Sequence, residues 1–175
     1  MVAKDANQRC ALVVLADGFE EAEAIIFLSL LRQAGLYVKS VGLTSGLVGG
    51  AHGVWLMPDL TIANLDGPTD TTPISVVILP EGRQSLTRLE ADPRVHRLLR
   101  RVVAQRGQIV TSSDGLQVVR AAGVLFNELG VIDDDRAMPV LLRKSEQSLE
   151  TFARDLIRRL KWSPQTDRQK SRRVS

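Results

Sequence analysis

Ser113 is the residue that the sequence most clearly presents for chemistry. A β-rich run at residues 109–112 leads into Ser113-Asp114-Gly115, and a helical pattern begins at once with Leu116. A strand that turns abruptly into a helix is the arrangement that holds a nucleophile at the edge of an α/β sheet. Glycine suits such a turn, because the backbone is tight and the next helix packs closely. The stretch therefore predicts a nucleophile elbow with Ser113 at its tip.

Buried strands and amphipathic helices alternate along the chain and must position this turn. Continuously apolar strands suit a parallel sheet that is covered on both faces. Strands are predicted at residues 10–15, 37–43, 54–57, 75–79, 109–112 and 140–143, with a turn or hairpin at 44–53. Helices are predicted from Glu20 to Gly35, after the cap Asp92, at 116–122 and after the cap Ser145. This order predicts an α/β three-layer sandwich with a mostly parallel sheet.

The chain of 175 residues predicts one domain, residues 1–162, followed by a short basic tail, residues 163–175. The tail contains four basic residues and one acidic residue, so it accounts for the whole net charge of +3. We expect it to be disordered and favour a solubilising role. A weak electrostatic contact with nucleic acid or an acidic partner is the alternative.

Targeting features are missing from the sequence. No apolar run approaches the roughly 20 residues that cross a bilayer, which predicts no membrane association. The polar N-terminus shows no signal-peptide core. The single cysteine, Cys10, excludes an internal disulfide framework, and its place at the start of a strand predicts a buried, inert thiol. We therefore expect a cytoplasmic protein.

Four segments resemble the ThiJ/PfpI superfamily, which includes DJ-1-like and class I glutamine-amidotransferase-like domains. They are residues 12–23 (LVVLADGFEEAE), 32–35 (RQAG), 49–53 (GGAHG) and 77–82 (VILPEG). The resemblance covers roughly residues 10–162 and is strongest in the first eighty. It implies a flavodoxin-like sandwich and a homodimer. It also implies a site with a cysteine on the elbow, a glutamate on the first helix and two glycine N–H donors after a Leu-Pro pair.

Matched position by position, the resemblance places Glu23 at the glutamate, Gly82 at the second glycine and Ser113 at the cysteine. Serine replaces a thiol of pKa about 8.5 with a hydroxyl that needs an adjacent general base. Glu81 replaces the first glycine and puts a carboxylate where an oxyanion needs N–H donors. Asp114 adds another acid beside the elbow. The candidate site is thus acidic and poorly equipped for nucleophilic attack.

A histidine after the elbow helix, which the resemblance also implies, is absent. The short loop 133–135 of three aspartates takes its place, and no histidine follows His96. His52 lies in a Gly-rich turn and His96 on an arginine-rich helix face, and their separation gives no metal-ligand pattern. We interpret both as structural or solvent-facing, and we assign no metal site and no cofactor.

Each candidate residue has a plainer interpretation. Ser113 can be a turn serine that bonds to backbone, since serine is common in turns, and we favour this. Glu23, Glu81 and Asp114 should meet at the carboxyl ends of the strands, where open α/β sheets bind ligands. They could hold a divalent cation or an amine. We favour the alternative that Arg83 and helix N-termini neutralise them.

The sequence favours a non-catalytic or weakly active member of this superfamily that binds a small ligand or protein partner at the strand-end pocket. The alternative is a hydrolase or lyase, glyoxalase-like or deglycase-like, acting on small carbonyl compounds. In that alternative Ser113 is the nucleophile, Glu23 the acid/base, and the N–H groups of Gly82 and Asp114 the oxyanion donors.

Overall fold

The structure, a computed structural model, describes residues 9–65, 73–124, 140–143 and 147–161. Among these residues lie eight strands, five helices and a short 3-10 helix. The strands are β1 (Cys10–Leu15), β2 (Tyr37–Gly42), β3 (Val48–Gly49), β4 (Trp55–Leu56), β5 (Leu60–Thr61), β6 (Ile74–Ile78), β7 (Gln108–Thr111) and β8 (Val140–Leu142). The helices are α1 (Glu21–Gln33), α2 (Arg83–Ala91), α3 (Pro93–Ala104), α4 (Leu116–Ala121) and α5 (Leu149–Lys161), and the 3-10 helix is Ile62–Leu65.

Six strands form one parallel sheet in the order β5-β2-β1-β6-β7-β8. One hydrophobic cluster fills the space between this sheet and helices α2, α3 and α4. A second cluster joins the opposite face to α1 and α5. The predicted α/β three-layer sandwich is therefore confirmed. Parallel strands align their carboxyl ends, so the segments after β1, β6, β7 and β8 meet at one edge.

Local capping explains several of the element boundaries. Asp92 accepts a hydrogen bond from the N–H of Arg94 and Pro93 opens α3, as the sequence predicts. Gly35 follows α1 at φ +78°, a conformation that glycine adopts without strain. At the start of α5, the hydroxyl of Ser148 accepts from the N–H of Thr151 at 3.2 Å. The predicted cap Ser145 lies outside the described residues.

The structure adds three elements that the sequence pattern did not indicate: helix α2, strand β5 and the 3-10 helix Ile62–Leu65. Helix α2 is mostly polar, and its buried positions are only Ser85, Leu86 and Leu89, so its apolar stripe is too narrow to predict a helix. Strand β5 pairs with β2 through only two residues, Leu60 and Thr61, within a segment predicted as a loop. The predicted hairpin is present, with β3 and β4 antiparallel.

Some expectations fall on residues that the structure does not describe. They concern a helical turn over most of residues 124–130, the loop at 131–139 and the basic tail at 163–175. Within the described ranges, no helix is both long enough and apolar enough to span a membrane.

Candidate functional site

Glu23 occupies the centre of the strand-end site. It lies in the first turn of α1 and is only 1% exposed. One carboxylate oxygen, Oε2, accepts a hydrogen bond from the backbone N–H of Glu81 at 2.6 Å. The other, Oε1, accepts from Nε of Arg143 at 3.3 Å. Both oxygens of Glu23 therefore accept hydrogen bonds from residues that lie just beyond the carboxyl ends of β6 and β8.

Arg143 bridges Glu23 to Glu81 across the site. Its Nη2 lies 2.5 Å from Oε1 of Glu81, and its side chain is only 10% exposed. The backbone N–H of Arg143 donates to the carbonyl of Thr111 at 2.9 Å, which fixes the residue directly beyond β8, beside the end of β7. The sequence assigned the neutralising role to Arg83 and to helix N-termini, but Arg83 is exposed. For Glu23 and Glu81 the assignment to Arg83 is wrong, because Arg143 pairs with both carboxylates.

Burial is the main influence on the ionisation of Glu23. Removing the carboxylate from water raises its pKa, whereas the N–H of Glu81 and the charge of Arg143 lower it. The negative charge of Glu81 raises it further, and the net result is a pKa above the ordinary value for glutamate. Repulsion between the two carboxylates therefore contributes to the raised pKa of Glu23, but its contribution is smaller than that of burial.

The elbow keeps its predicted shape but not a strained backbone. Ser113 and Asp114 are exposed, and the carbonyl of Ser113 accepts from the N–H of Leu116 at 3.3 Å. Arg106 is the only non-glycine residue with a positive φ in the described ranges, so Ser113 does not adopt the left-handed conformation. Among those residues its hydroxyl makes no hydrogen bond to Glu23.

Steric constraint, and not turn preference alone, requires glycine at position 82. Its φ is +120°, and a Cβ atom there would lie 2.1 Å from the carbonyl oxygen of Gly18. Only glycine fits such a close approach of two backbone segments. Within the described part of the chain, its N–H has no hydrogen-bond partner. This N–H therefore remains available to an oxygen atom of a ligand, whereas the N–H of Glu81 is already taken by Glu23.

A second group of chemically active side chains surrounds the start of α1. Nδ1 of His52 lies 2.9 Å from Oε2 of Glu21 and 3.6 Å from Oε2 of Glu20. The other oxygen of Glu21 accepts from the backbone N–H groups of His52 and Val54, at 2.6 and 3.3 Å. We call Glu20, Glu21 and His52 the helix–hairpin cluster, because it joins α1 to the turn between β3 and β4.

Hydrogen bonding sets the ionisation of this cluster. Burial raises the pKa of Glu21, but the bonds from the His52 ring and from backbone N–H groups outweigh it and lower the pKa to about 2. The Glu21 carboxylate, together with the charge of Glu20, raises the pKa of His52. Sequence reasoning treated His52 as structural or solvent-facing and missed its contact with two acids.

Comparison with known proteins decides the family. The DJ-1/PfpI family model matches residues 9–129. The chain belongs to the DJ-1/PfpI family. It is 32% identical over 119 residues to the Parkinson disease protein 7 homolog of Danio rerio, a match covering 66% of this chain and 60% of that protein. It is 39% identical over 75 residues to protein dj-1beta of Drosophila melanogaster, covering 42% of this chain and 38% of the relative.

Solved structures of this family share the fold. The crystal structure of Drosophila melanogaster DJ-1beta aligns with a TM-score of 0.74 at 24% identity, covering 96% of this chain and 99% of that one. A cysteine-to-alanine mutant of a DJ-1 superfamily protein from Salmonella typhimurium aligns with a TM-score of 0.74 at 26% identity, covering 95% and 98%. The flavodoxin-like arrangement that the resemblance implied is therefore confirmed.

Arg143 also belongs to the strand-end site of this DJ-1/PfpI chain. The sequence predicted it only as the last residue of a strand, with no functional role. Its position directly after the last strand is the signal that could have identified it. The structure adds two buried hydroxyls, on Ser85 and Ser112, without partners among the described residues. No sequence pattern marks them. The site thus combines two acids and a bridging guanidinium near an exposed serine at the elbow.

Proposed function

We propose that this DJ-1/PfpI chain works by binding and is non-catalytic or weakly active. The observation that carries the proposal is the bridge that Arg143 makes between Glu23 and Glu81. A general base must lie within hydrogen-bond reach of the proton that it takes from its nucleophile. In the described structure the oxygens of Glu23 accept from Glu81 and Arg143, and neither bonds to Ser113. Activation of the hydroxyl is therefore not supported.

The ligand of the strand-end pocket is a small molecule or a segment of a partner protein. Glu81 and Asp114 contribute acids near its rim, and Arg143 offsets only part of the total negative charge. The surplus of carboxylates favours a ligand with an amine or other hydrogen-bond donors. The N–H of Gly82, which has no partner among the described residues, supplies one complementary donor for a ligand oxygen.

Turnover assays test the absence of nucleophilic catalysis. We expect purified protein to convert methylglyoxal and an activated ester no faster than its Ser113→Ala and Glu23→Gln variants. Turnover by the parent that disappears in both variants would overturn the proposal. Ser113→Cys provides a second probe, because a cysteine in an active pocket is unusually reactive to peroxide. We expect the ordinary reactivity of an exposed thiol.

The second candidate is a hydrolase or lyase, glyoxalase-like or deglycase-like, acting on small carbonyl compounds. The exposure of Ser113 and the raised pKa of Glu23 favour it. So does the N–H of Gly82, for which the described structure contains no acceptor. This candidate requires Arg143 to leave Glu23 when substrate binds. A crystal structure with a bound carbonyl compound would distinguish this enzyme from the binding role. The enzyme requires that the contact between Arg143 and Glu23 be broken in that structure.

We also propose a homodimer that forms through α1 and the hairpin β3–β4. Large apolar side chains are exposed on these elements at Ile25, Leu47, Val54, Trp55 and Met57. Trp55 and Met57 are 64% and 63% exposed. Large exposed apolar side chains that cluster together mark interaction sites. Ile25 lies one helical turn beyond Glu21, which already contacts the hairpin, so both elements contribute to the same face.

Sedimentation velocity tests the dimer. Trp55→Lys combined with Met57→Lys should convert the dimer to a monomer, because two charges would be buried without partners. Leu142→Lys is the matched control, since this exposed apolar residue lies on β8 rather than on α1 or the hairpin. A monomeric parent, or a dimer unaffected by the double substitution, would contradict the proposal.

The remaining expectations stay predictions. They are the location in the cytoplasm, the single domain at residues 1–162 and the contact of the tail with nucleic acid or an acidic partner. Binding that is sensitive to salt and disappears on deletion of residues 163–175 would support the tail contact.

A further inference from the structure

The helix–hairpin cluster brings three potential metal ligands together. Nδ1 of His52 and one carboxylate oxygen from each of Glu20 and Glu21 lie within 4.8 Å of one another. Donor atoms of a tetrahedral Zn²⁺ site, with bonds of about 2.1 Å, are about 3.4 Å apart. The observed separations of 2.9 and 3.6 Å from Nδ1 bracket this value. Small side-chain shifts therefore suffice for all three to contact one ion.

The fold holds Glu21 with one oxygen directed to the cluster. Its Oε1 accepts the backbone N–H groups of His52 and Val54, which leaves Oε2 to face Nδ1. Gly50 makes room for this carboxylate, because a Cβ atom there would lie 2.3 Å from Cδ of Glu21. Hydrogen bonds behind a ligating carboxylate orient it and strengthen metal binding.

The charge of the cluster distinguishes it from the strand-end site. There, Arg143 already lies between two carboxylates, in the position that a cation would occupy. Among the described residues, Glu20 and Glu21 pair with His52 and form no salt bridge to lysine or arginine. The α1 N-terminus contributes roughly half a positive charge, which does not cancel two carboxylates. The cluster therefore has an excess of negative charge and a nitrogen donor.

We propose that Glu20, Glu21 and His52 bind a divalent first-row transition metal such as Zn²⁺. The ligands are Nδ1 of His52 and one oxygen from each glutamate, an N/O set that suits these ions. In the single chain the His52 side chain is 71% exposed, so an ion bound there retains positions for water or an added ligand. Binding would clamp the hairpin turn to α1. The site is separate from the strand-end pocket and does not depend on the binding role proposed for it.

Calorimetry on the full chain, stripped with a chelator and titrated with Zn²⁺, tests the site. We expect one ion per chain and at least about tenfold weaker binding in His52→Gln and in Glu20→Gln. Glu20→Gln is the cleaner variant, because among the described residues the Glu20 carboxylate contacts only His52. The matched control is His96→Gln, which removes the other histidine, whose ring bonds to the carbonyl of Glu90.

Thermal unfolding gives an independent readout. Zn²⁺ should raise the melting temperature of the parent and of His96→Gln, because a ligand bound only by the folded state stabilises it. At the same Zn²⁺ concentration it should raise the melting temperature of His52→Gln and Glu20→Gln by less. No heat with Zn²⁺, equal affinity in all variants, or loss of binding in His96→Gln would each overturn the proposal.

Discussion

Glu21 and Glu23 lie two residues apart in the first turn of α1, and their surroundings are opposite. Both are buried, with 5% and 1% exposure. Glu21 accepts two backbone N–H groups and the His52 ring, and its pKa falls to about 2. Glu23 shares Arg143 with a second carboxylate, and burial raises its pKa. Burial alone therefore does not determine ionisation. The pKa of each carboxylate also depends on how many hydrogen bonds it accepts, and on whether its donors are shared with another carboxylate.

Glu23 and Glu21 also have different structural roles in the strand-end site and the helix–hairpin cluster. Glu23 closes the strand-end site by binding β6 and β8 termini together, whereas Glu21 attaches the hairpin to α1. One region already contains its own cation, Arg143. In the other, within the described residues, the side chains of Glu20 and Glu21 form ion pairs only with His52. The Glu-Glu-x-Glu motif thus contributes to two sites, of which the family resemblance pointed to one.

The largest expected effect comes from removing the cation of the strand-end site. Arg143→Met leaves Glu23 buried without a counter-charge, which should lower the free energy of unfolding by about 3–5 kcal/mol. Urea denaturation measures the loss. The double variant Arg143→Met/Glu23→Gln removes both charges and should recover part of it. An equal loss in both proteins would show that the ion pair is not what holds this region together.

Glycine substitutions sharpen the comparison between the regions. Gly82→Ala should lower the free energy of unfolding by about 3 kcal/mol, because positive φ and a backbone clash cannot be relieved. Gly50→Ala should lower it by about 1–2 kcal/mol, since the clashing Glu21 side chain can move. Chemical denaturation of both variants beside the parent gives the difference. A larger loss of stability in Gly50→Ala than in Gly82→Ala would contradict our inference that the backbone at Gly82 yields less easily than the Glu21 side chain beside Gly50.

The pH dependence of stability tests the opposite pKa shifts, in protein kept metal-free by a chelator. The raised pKa of Glu23 means that the folded state binds its proton more tightly. Its contribution is therefore full below the unfolded pKa of about 4.3 and is lost as pH rises through the folded pKa. The lowered pKa of Glu21 contributes above the unfolded value, and that contribution is lost as pH falls from about 4 to about 2.

Two variants separate these contributions. In the parent, the Glu23 contribution makes stability fall as pH rises above the unfolded pKa of about 4.3. Glu23→Gln should not show this fall. Glu21→Gln should lose the decline on the acid side. Unfolding free energies measured from pH 3 to pH 8 provide the comparison. Parallel curves for the parent and both variants would contradict the assignment of opposite shifts.

Much of the fold could be predicted because its signals are local. The apolar runs that became β1, β6 and β7 indicated buried parallel strands, and Asp92-Pro93 indicated the start of α3. Helix α2 was missed, since its buried stripe has only three positions and its remaining residues are polar. Strand β5 was missed because its two residues depend on pairing with β2 rather than on any pattern of their own.

The candidate site could be predicted only in part, for a similar reason. Glu23, Gly82 and the exposed Ser113 were identified as candidates from the motif and the strand–turn–helix pattern. Their catalytic or binding roles stay proposals. Arg143 was assigned no role, because it is 120 residues from Glu23 in sequence. Its contact with two acids arises only when β8 is placed beside β7.

The sequence by itself determined the alternation of strands and helices, the elbow position of Ser113 and the acidic character of the strand ends. These follow from periodicity, turn chemistry and residue type, which act over a few neighbouring residues. Only the tertiary structure decided that Arg143 bridges Glu23 to Glu81 and that His52 meets Glu20 and Glu21. Such pairings depend on distances between segments remote in the chain, and those distances are set by the packing of the whole sheet.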